Sequence, residues 1–239
     1  MKKLLYGLVV ATGALMLTGC NILTVGKDAY EKSLLVESDK VEELELEVNM
    51  GAGELTLDQG SKEWMTGEAK YNNKDLEPEV SYKLTGDTGK ITIDQSKSDD
   101  INVDKGGLKN EWNLQVTNKV PLELIVNSGA SASTLNLSGL KLEDLQINAG
   151  VGDLTVDLSG DWKKSFDVNM DMGVGVTTMI LPKDVGVKVI SEKGLGVRSV
   201  EGLSSEGDGV YVNDKFGKSD ITITVNADLG IGEFEIKEE

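Results

Sequence analysis

The chain has 239 residues, a formal net charge of -17, 39% hydrophobic residues and only 5% aromatic residues. It contains no histidine, one cysteine (Cys20) and one arginine (Arg198). These counts exclude Ser-His-Asp and Cys-His catalytic systems, histidine-ligated zinc and any disulfide within the chain. The excess of acidic residues also argues against nucleic acid as a partner, because like charges repel.

The first 19 residues have the parts of a secretory signal. Lys2 and Lys3 precede an uncharged, mostly apolar stretch over residues 4–18, which is shorter than the ~20 residues that a membrane-spanning helix needs. The following LTGC, ending at Cys20, resembles the lipobox of bacterial lipoproteins. That resemblance implies cleavage after Gly19, diacylglycerol on the Cys20 sulfur and acylation of the new amino terminus. The alternatives are an uncleaved anchor and a soluble secreted form with a free thiol.

The chain after Cys20 divides into three segments. Residues 20–37 are polar and mixed, and we expect a flexible tether. Residues 38–125 read as an N-terminal β region, since VEELELEVNM from Val41 alternates apolar and polar side chains with a period of two. Four further strands are expected there, around residues 64–71, 80–84, 90–94 and 112–116. Residues 126–239 read as a second β region, continuous with the first.

A strand, a Gly-x-Gly turn and a second strand recur along the chain. From Gly129 onward the first glycines of successive turns follow at intervals of 21, 23 and 21 residues, which indicates a repeat of about 21 residues. One copy, VNSGAS, has serine in place of the second glycine. The turn glycines are Gly51, Gly53, Gly129, Gly150, Gly152, Gly173, Gly175, Gly194, Gly196, Gly230 and Gly232.

A two-strand unit with one apolar face cannot bury that face alone, but stacked copies can. The sequence therefore predicts an all-β, β-helix-like solenoid of stacked rungs, with glycine where each rung bends. A run of ordinary hairpins in an antiparallel sandwich is the alternative. We expect the acidic tail EFEIKEE to close one end of the stack, because an open end invites edge-to-edge pairing.

The chain is similar to the toast-rack family of bacterial envelope proteins. The stretch from Asn110 to Leu122, with VNSGAS, LNLSGLKLEDLQINAGVGDLTVDLSG and WKKSFDVNM, carries the resemblance. Related repeats occur in the C-terminal domain of LiaF-type regulators of the cell-wall antibiotic response and in adhesin-like families. The resemblance implies a β-solenoid-like fold and supplies no catalytic residues. The regulators have membrane-spanning helices before the repeats, whereas this sequence has a lipobox.

Two groups of acidic residues are candidate metal sites. Asp100, Asn102, Asp104 and Glu111 occupy positions 1, 3, 5 and 12 of a calcium-loop pattern. Lys105 stands where that loop requires glycine, so an acidic surface loop explains the same residues. Asp208, Asp214 and Asp220 lie in the insertion SSEGDGVYVNDKFGKS and are explained by turns.

The aromatic residues divide the functional alternatives. Trp112 and Phe166 alternate with aliphatic residues and are expected in the core, while Trp162 is expected to pack over a rung edge. Trp64 is left open between covering the end of the stack and stacking on a sugar ring. Paired carboxylates can hydrolyse glycosides without histidine, but a sugar cleft needs clustered aromatic residues.

The sequence thus predicts a lipid-anchored, extracytoplasmic protein of the bacterial cell membrane that acts without catalysis or cofactor. We expect an interaction or scaffold module in envelope maintenance or stress response, with an envelope protein or cell-wall component as partner. Strand addition at the open end of the stack is one possible mode of binding. An adhesin-like surface protein is the first alternative, and a carbohydrate-active enzyme with a carboxylate pair is the second.

Overall fold

The computed structural model of the protein describes residues 22–24, 29–95, 107–191 and 194–239, with backbone alone for residues 22–24. The signal segment 1–19, Cys20 and the calcium candidates Asp100, Asn102 and Asp104 lie outside the described residues. Within them the fold is all-β, with one short 3-10 turn at Lys74–Leu76. The solenoid of stacked strands expected from the sequence is therefore confirmed.

The strands form one folded sheet. In chain order they are β1 (Ile22–Thr24), β2 (Tyr30–Val36), β3 (Glu43–Gln59), β4 (Met65–Tyr71), β5 (Pro78–Thr85), β6 (Thr88–Gln95), β7 (Asn110–Val116), β8 (Leu122–Asn136), β9 (Leu142–Asp157), β10 (Phe166–Leu181), β11 (Gly186–Ser191), β12 (Leu195–Val200), β13 (Ser204–Gly207), β14 (Val210–Val212) and β15 (Thr222–Glu238). The four extra strands expected in the N-terminal region are β4, β5, β6 and β7.

Five long strands (β3, β8, β9, β10 and β15) each form one rung of the stack. Every one passes through a Gly-x-Gly or Gly-x-Ser corner, so that it has a first arm before the corner and a second arm after it. Neighbouring rungs pair in parallel along both arms. Two further rungs are each made of two separate strands and are called split rungs. Beside β3, β6 forms the first arm and β7 the second arm. Beside β15, β11 forms the first arm and β12 the second arm. The first arms and the second arms therefore make two layers joined at the corner.

The spatial order of the rungs differs from their order in the chain. The C-terminal strand β15 lies between β10 and the split rung β11/β12. The tail EFEIKEE is thus inside the stack, paired with β10 on one side and β12 on the other, and the expectation that it closes an end is wrong. The reason is that its alternating Phe234 and Ile236 are buried like those of every interior rung.

The core lies between the two layers. Alternate side chains of each first arm point inward and meet those of the second arms, as the period of two predicts. In register along the first arms, Leu46, Leu124, Leu145, Val168 and Val225 form a continuous row of buried residues. Each such side chain stabilises the fold by roughly 1.5–3 kcal/mol before conformational entropy is counted.

Antiparallel strands extend the stack at its N-terminal end. In the second-arm layer, β7 pairs with β4, β4 with β2 and β2 with β1; in the first-arm layer β6 pairs with β5. Leu34 and Val36 of β2 are buried, and β1 pairs with β2. The flexible tether expected over residues 20–37 is therefore wrong for the parts that form β1 and β2. The division at residue 126 falls within β8, and one sheet runs across it.

The late insertion covers the other end of the first-arm layer. Strand β14 pairs with β11, and β13 pairs with β14. Asn213, only 5% exposed, ties this segment down: its Nδ2 donates to the carbonyl oxygen of Val185 at 2.8 Å and its Oδ1 accepts from the Val187 amide at 2.9 Å. Buried polar groups that find such partners fix one arrangement of the chain.

Candidate binding surfaces

The first glycine of each corner faces the backbone of the neighbouring rung. A Cβ on Gly129 would lie 2.3 Å from the Gly51 carbonyl oxygen, and a Cβ on Gly150 would lie 2.5 Å from the Gly129 oxygen. Gly173 repeats the same relation to Gly150, at 2.4 Å. These distances are far below van der Waals contact, so only glycine lets the rungs stack at this corner.

The second glycine of the corner has a further requirement. Gly175 has φ +153°, and a Cβ there would lie 1.7 Å from the Gly152 carbonyl oxygen. Ser131 stands at this position in β8, and among the described residues the one non-glycine with positive φ is Asp208. The β8 rung therefore turns its corner with an ordinary backbone, which is why serine is accepted there.

A ladder of amide side chains runs beside the corner. Asn127 Nδ2 donates to Asn49 Oδ1 at 2.7 Å, and Asn148 Nδ2 donates to Asn127 Oδ1 at 2.7 Å. Asn49 Nδ2 donates in turn to Asp94 Oδ1 at 2.8 Å. The asparagines before the turns thus link neighbouring rungs.

The outer surface of the first-arm layer carries a row of carboxylates. Glu45, Glu123, Asp144 and Asp167 lie in register on four adjacent strands, with side-chain rows roughly 4.8 Å apart. Partial desolvation between the strands raises the pKa of Glu123, and the charges of Glu43, Glu45, Asp144 and Glu143 raise it further. Like charges directly opposite one another in a sheet are destabilising.

One lysine offsets this charge at the β6 end of the row. Lys90 Nζ lies 2.5 Å from Glu45 Oε1 and 3.2 Å from Glu47 Oε2. Hydrogen bonds to the two carboxylates raise the pKa of Lys90, while the amide of Asn49 and then Lys90 lower that of Glu47. Toward β10 the next lysine in register is Lys188 of β11, which Thr224 separates from Asp167, so the charge is uneven along the face.

An apolar ridge follows the corner toward β12. The middle residue of each Gly-x-Gly turn points outward: it is Val151 in β9 (55% exposed), Ile231 in β15 (56%) and Leu195 in β12 (73%). The same ridge includes Val174 at the corner. One row further along the second arms, it also includes Val176 and Val197. Exposed apolar residues are ordinary when scattered, but contiguous ones mark a surface that meets a partner.

The acidic and aromatic candidates from the sequence have clear positions where they are described. Glu111 lies on β7, where its carboxylate is 3.4 Å from Lys109 Nζ. Among the described residues no cluster of acidic and cysteine side chains is arranged to hold a metal ion. Asp208 and Asp214 lie in turns and Asp220 in a bend, as turn chemistry predicts.

All three tryptophans are buried. Trp112 is 1% exposed, in agreement with its expected core position, and Trp162 packs against Phe166 with ring centroids 4.7 Å apart. Trp64 is 4% exposed and donates from Nε1 to Asp39 Oδ1 at 2.8 Å. The alternative of an exposed Trp64 stacked on a sugar is therefore wrong.

Asp39 also accepts a hydrogen bond from the Tyr82 hydroxyl. Burial, together with this bond, raises the pKa of Tyr82 to about 12.

Sequence reasoning missed the apolar ridge. Its signal was the middle residue of the turns, which is alanine in β3 and β8, valine in β9 and β10, isoleucine in β15 and leucine in β12. The trend becomes visible only when the rungs are placed in their spatial order.

No helix in the described part of the chain has the length and hydrophobicity to cross a membrane.

Comparisons with known proteins place the fold in context. The family model described as the N-terminal domain of toast_rack, DUF2154, matches residues 24–180. A crystal structure of a candidate cell adhesion protein from Clostridium sporogenes has 33% sequence identity, covering 87% of this chain and 99% of that chain, with a TM-score of 0.82. A candidate adhesin from Bacteroides fragilis has 9% identity, covering 88% of this chain and 98% of that chain, with a TM-score of 0.33. No curated protein matches the chain.

Proposed function

The chain belongs to the toast-rack family, and from this membership we propose that it is an adhesin-type binding module at the outer surface of a bacterial cell membrane, acting without catalysis. The similarity to the Clostridium sporogenes cell adhesion candidate, over nearly the full length of both chains, is the observation that carries the proposal. A stack of paired strands presents fixed outer surfaces, which suits recognition of a partner without a conformational change.

The distribution of aromatic and acidic side chains supports binding over glycoside hydrolysis. The row of Glu45, Glu123 and Asp144 lies on an outer face of the sheet, whereas the tryptophans that would line a sugar cleft are all in the interior. A hydrolase of this kind also needs one carboxyl poised as an acid opposite a second one across the substrate. Carboxylates in register along one face point the same way and do not enclose a sugar.

The proposed anchor is a lipid on Cys20. Strand β1 begins at Ile22, two residues after Cys20, and it is the last strand of the second-arm layer at the N-terminal end. An anchor there would hold that end toward the membrane and present β12 and the late insertion away from it. The negative charge of the body keeps it off anionic headgroups.

Two measurements test this function. Metabolic labelling with an alkyne fatty acid should mark the wild-type chain and leave Cys20→Ser unlabelled and released from the membrane. Cells that display the wild-type chain should adhere to host-matrix or bacterial-cell surfaces more than cells expressing Cys20→Ser. If the two kinds of cell adhere equally well while a control lipoprotein is displayed at the same level on both, the adhesin role is contradicted. Crosslinking in intact envelopes then identifies the partner, and a partner confined to the cell's own envelope would favour the scaffold alternative.

A further inference from the structure

We propose that β12 is a docking edge: it accepts an extended segment of a partner protein as an added strand, and that segment has alternating aliphatic side chains and basic residues at its flanks. This inference rests on the proposed binding function and names the site and the chemistry of the partner. It joins two independent features of one strand, its backbone edge and its side chains.

The backbone of β12 has one side available for pairing. Within the described residues its strand partner is β15 alone. The Glu201 amide donates to the Ile236 carbonyl oxygen of β15 at 2.9 Å. Because successive residues of a strand direct their N–H and C=O groups to opposite sides, those of Gly196 and Val200 point away from β15. An incoming strand would bond to this side, as in strand addition generally.

The side chains of β12 are the most exposed apolar ones of the described residues. Leu195 is 73% exposed and Val197 is 65% exposed. Both point outward beside Ile231 of β15, so the surface available to a partner continues from the edge onto the ridge. A partner strand with aliphatic residues at alternate positions would cover Leu195 and Val197 while its backbone pairs with β12.

Two other edges of the stack are covered or carry polar residues, and the edge formed by β1 lies at the opposite end of the stack from β12. In the first-arm layer at the same end, β11 is paired with β14, and β13 beyond it reads Ser-Ser-Glu-Gly. At the opposite end β5 begins with Pro78 and carries Glu79 and Lys83. Proline and charge are the usual means by which an edge strand resists further pairing. Strand β12 has no proline, and its one charged side chain, Arg198, points inward to Ser191 and leaves the outer surface of the strand uncharged.

Charge determines which partner suits this edge. The chain has a formal charge of -17, and acidic residues stand at the rim: Glu201 follows β12, and Glu233 of β15 is in register with Val197. A second copy would bring a second strongly negative body to the same place. A segment with basic flanks is instead attracted at long range and can pair its charges with Glu201 and Glu233.

The underside of β12 is held by packing. Arg198 points inward, where a guanidinium nitrogen donates to Ser191 Oγ at 2.8 Å and the guanidinium carbon lies 5.7 Å from the ring centroid of Tyr211. These contacts fix the strand before a partner arrives, which lowers the entropic cost of binding. The edge is thus a rigid template.

The test uses the purified full chain and the synthetic peptide Ac-KVTVTVK-NH2, with binding followed by NMR shifts of the β12 amides. We expect saturable binding that weakens as the salt concentration rises. The affinity should be lower by about tenfold or more for Ac-KVTPTVK-NH2, because its proline blocks strand pairing. It should also be lower for Ac-EVTVTVE-NH2, whose flanking residues are acidic. Val197→Lys should reduce affinity by about tenfold or more, because it places a like charge against the basic peptide.

The matched control is Val151→Lys, which puts the same charge at an exposed ridge position of an interior rung and leaves β12 unchanged. Equal loss of binding in both variants, equal affinity for all three peptides, or no peptide binding would each overturn the proposal. Sedimentation of the protein alone then tests for self-association through this edge. If the wild-type chain is a dimer and Val197→Lys is a monomer, a second copy of the chain binds β12, and the assigned partner is overturned. Adherence of cells that survives Val197→Lys would overturn the site and leave the adhesin role intact.

Discussion

The corner of a rung and its outer face belong to the same strands but restrict the sequence very differently. At the corner, a Cβ on Gly150 would lie 2.5 Å from the carbonyl oxygen of the neighbouring rung. On the outer face of the same strands, Glu123 and Asp144 stand side by side although their charges repel. The corner residues are therefore dictated by stacking, whereas repulsion within the acidic row should lower the stability of the fold.

This difference separates positions that build the stack from positions that set its surface. Changes at the corner should act on folding, and changes on the outer face should act on charge and binding with small effects on stability. Single substitutions at the two kinds of position test this division.

Gly175→Ala should be the most damaging single change. It forces a side chain into a backbone with φ +153° and places Cβ 1.7 Å from the Gly152 carbonyl oxygen, so we expect a loss of about 3–5 kcal/mol in the free energy of unfolding. Urea denaturation measures this loss. The control is Gly139→Ala, where φ is +83° but no atom lies within 4 Å; its cost should stay near 1 kcal/mol. Similar costs for both variants would contradict the role of rung contact.

Asn213→Ala should rank second, because it removes the polar centre that holds the late insertion. The side chain donates to Pro182 and Val185 carbonyl oxygens and accepts from the Val187 amide, so we expect a loss of about 2–4 kcal/mol. Hydrogen exchange should show the loss concentrated in β11 and β14. Asn226→Ala, at an exposed asparagine bonded to Asn169, should cost about 0.5 kcal/mol; a comparable cost would refute the special position of Asn213.

Ser131→Gly tests the corner from the opposite direction. Ser131 turns its corner without positive φ, and its Oγ lies 3.0 Å from Ser133 Oγ. Glycine at this position adds no room that the rung needs and gives the unfolded chain more freedom, so we expect a loss of about 0.5–1 kcal/mol. Thermal unfolding would detect it. A gain in stability would mean that the serine corner is strained and that the glycine column is preferred at every rung.

The sequence predicted the corners and the buried faces well because both depend on local chemistry. A period of two identifies the inward side chains, and glycine before a short second strand identifies a bend. Neither pattern specifies which rung lies beside which, since Val225 of β15 and Val189 of β11 look alike as buried strand residues. The insertion of β15 between β10 and β11 could therefore not be read from the chain.

The same reasoning explains why the exposed edge was missed. Leu195 and Val197 have the spacing of an ordinary rung, and they are exposed because β12 ends its layer in the folded stack. Strand β2 was missed for a different reason: its apolar alternation is short, and Lys32, which is 9% exposed and bonded to Glu77 at 2.7 Å, reads as a solvated charge. Tertiary contacts decide such cases.

Glu123→Gln should have the smallest effect and the opposite sign. The pKa of Glu123 is raised by desolvation and by four neighbouring carboxylates, so the folded state holds its proton more tightly than the unfolded chain does. A carboxyl of this kind costs stability above its folded pKa, and the cost disappears as the pH falls below the unfolded value of about 4.3.

Glutamine should thus stabilise the protein at neutral pH by a few tenths of a kcal/mol, and the gain should shrink in acid and in high salt. Denaturation at pH 7 and pH 4 measures both effects. Asp153→Asn is the control, because Asp153 is in register with Ala132 of β8 and Val176 of β10 and lies outside the acidic row; it should show no such gain. A gain for Glu123→Gln that persists unchanged at pH 4 would show that packing, and not charge repulsion, limits this face.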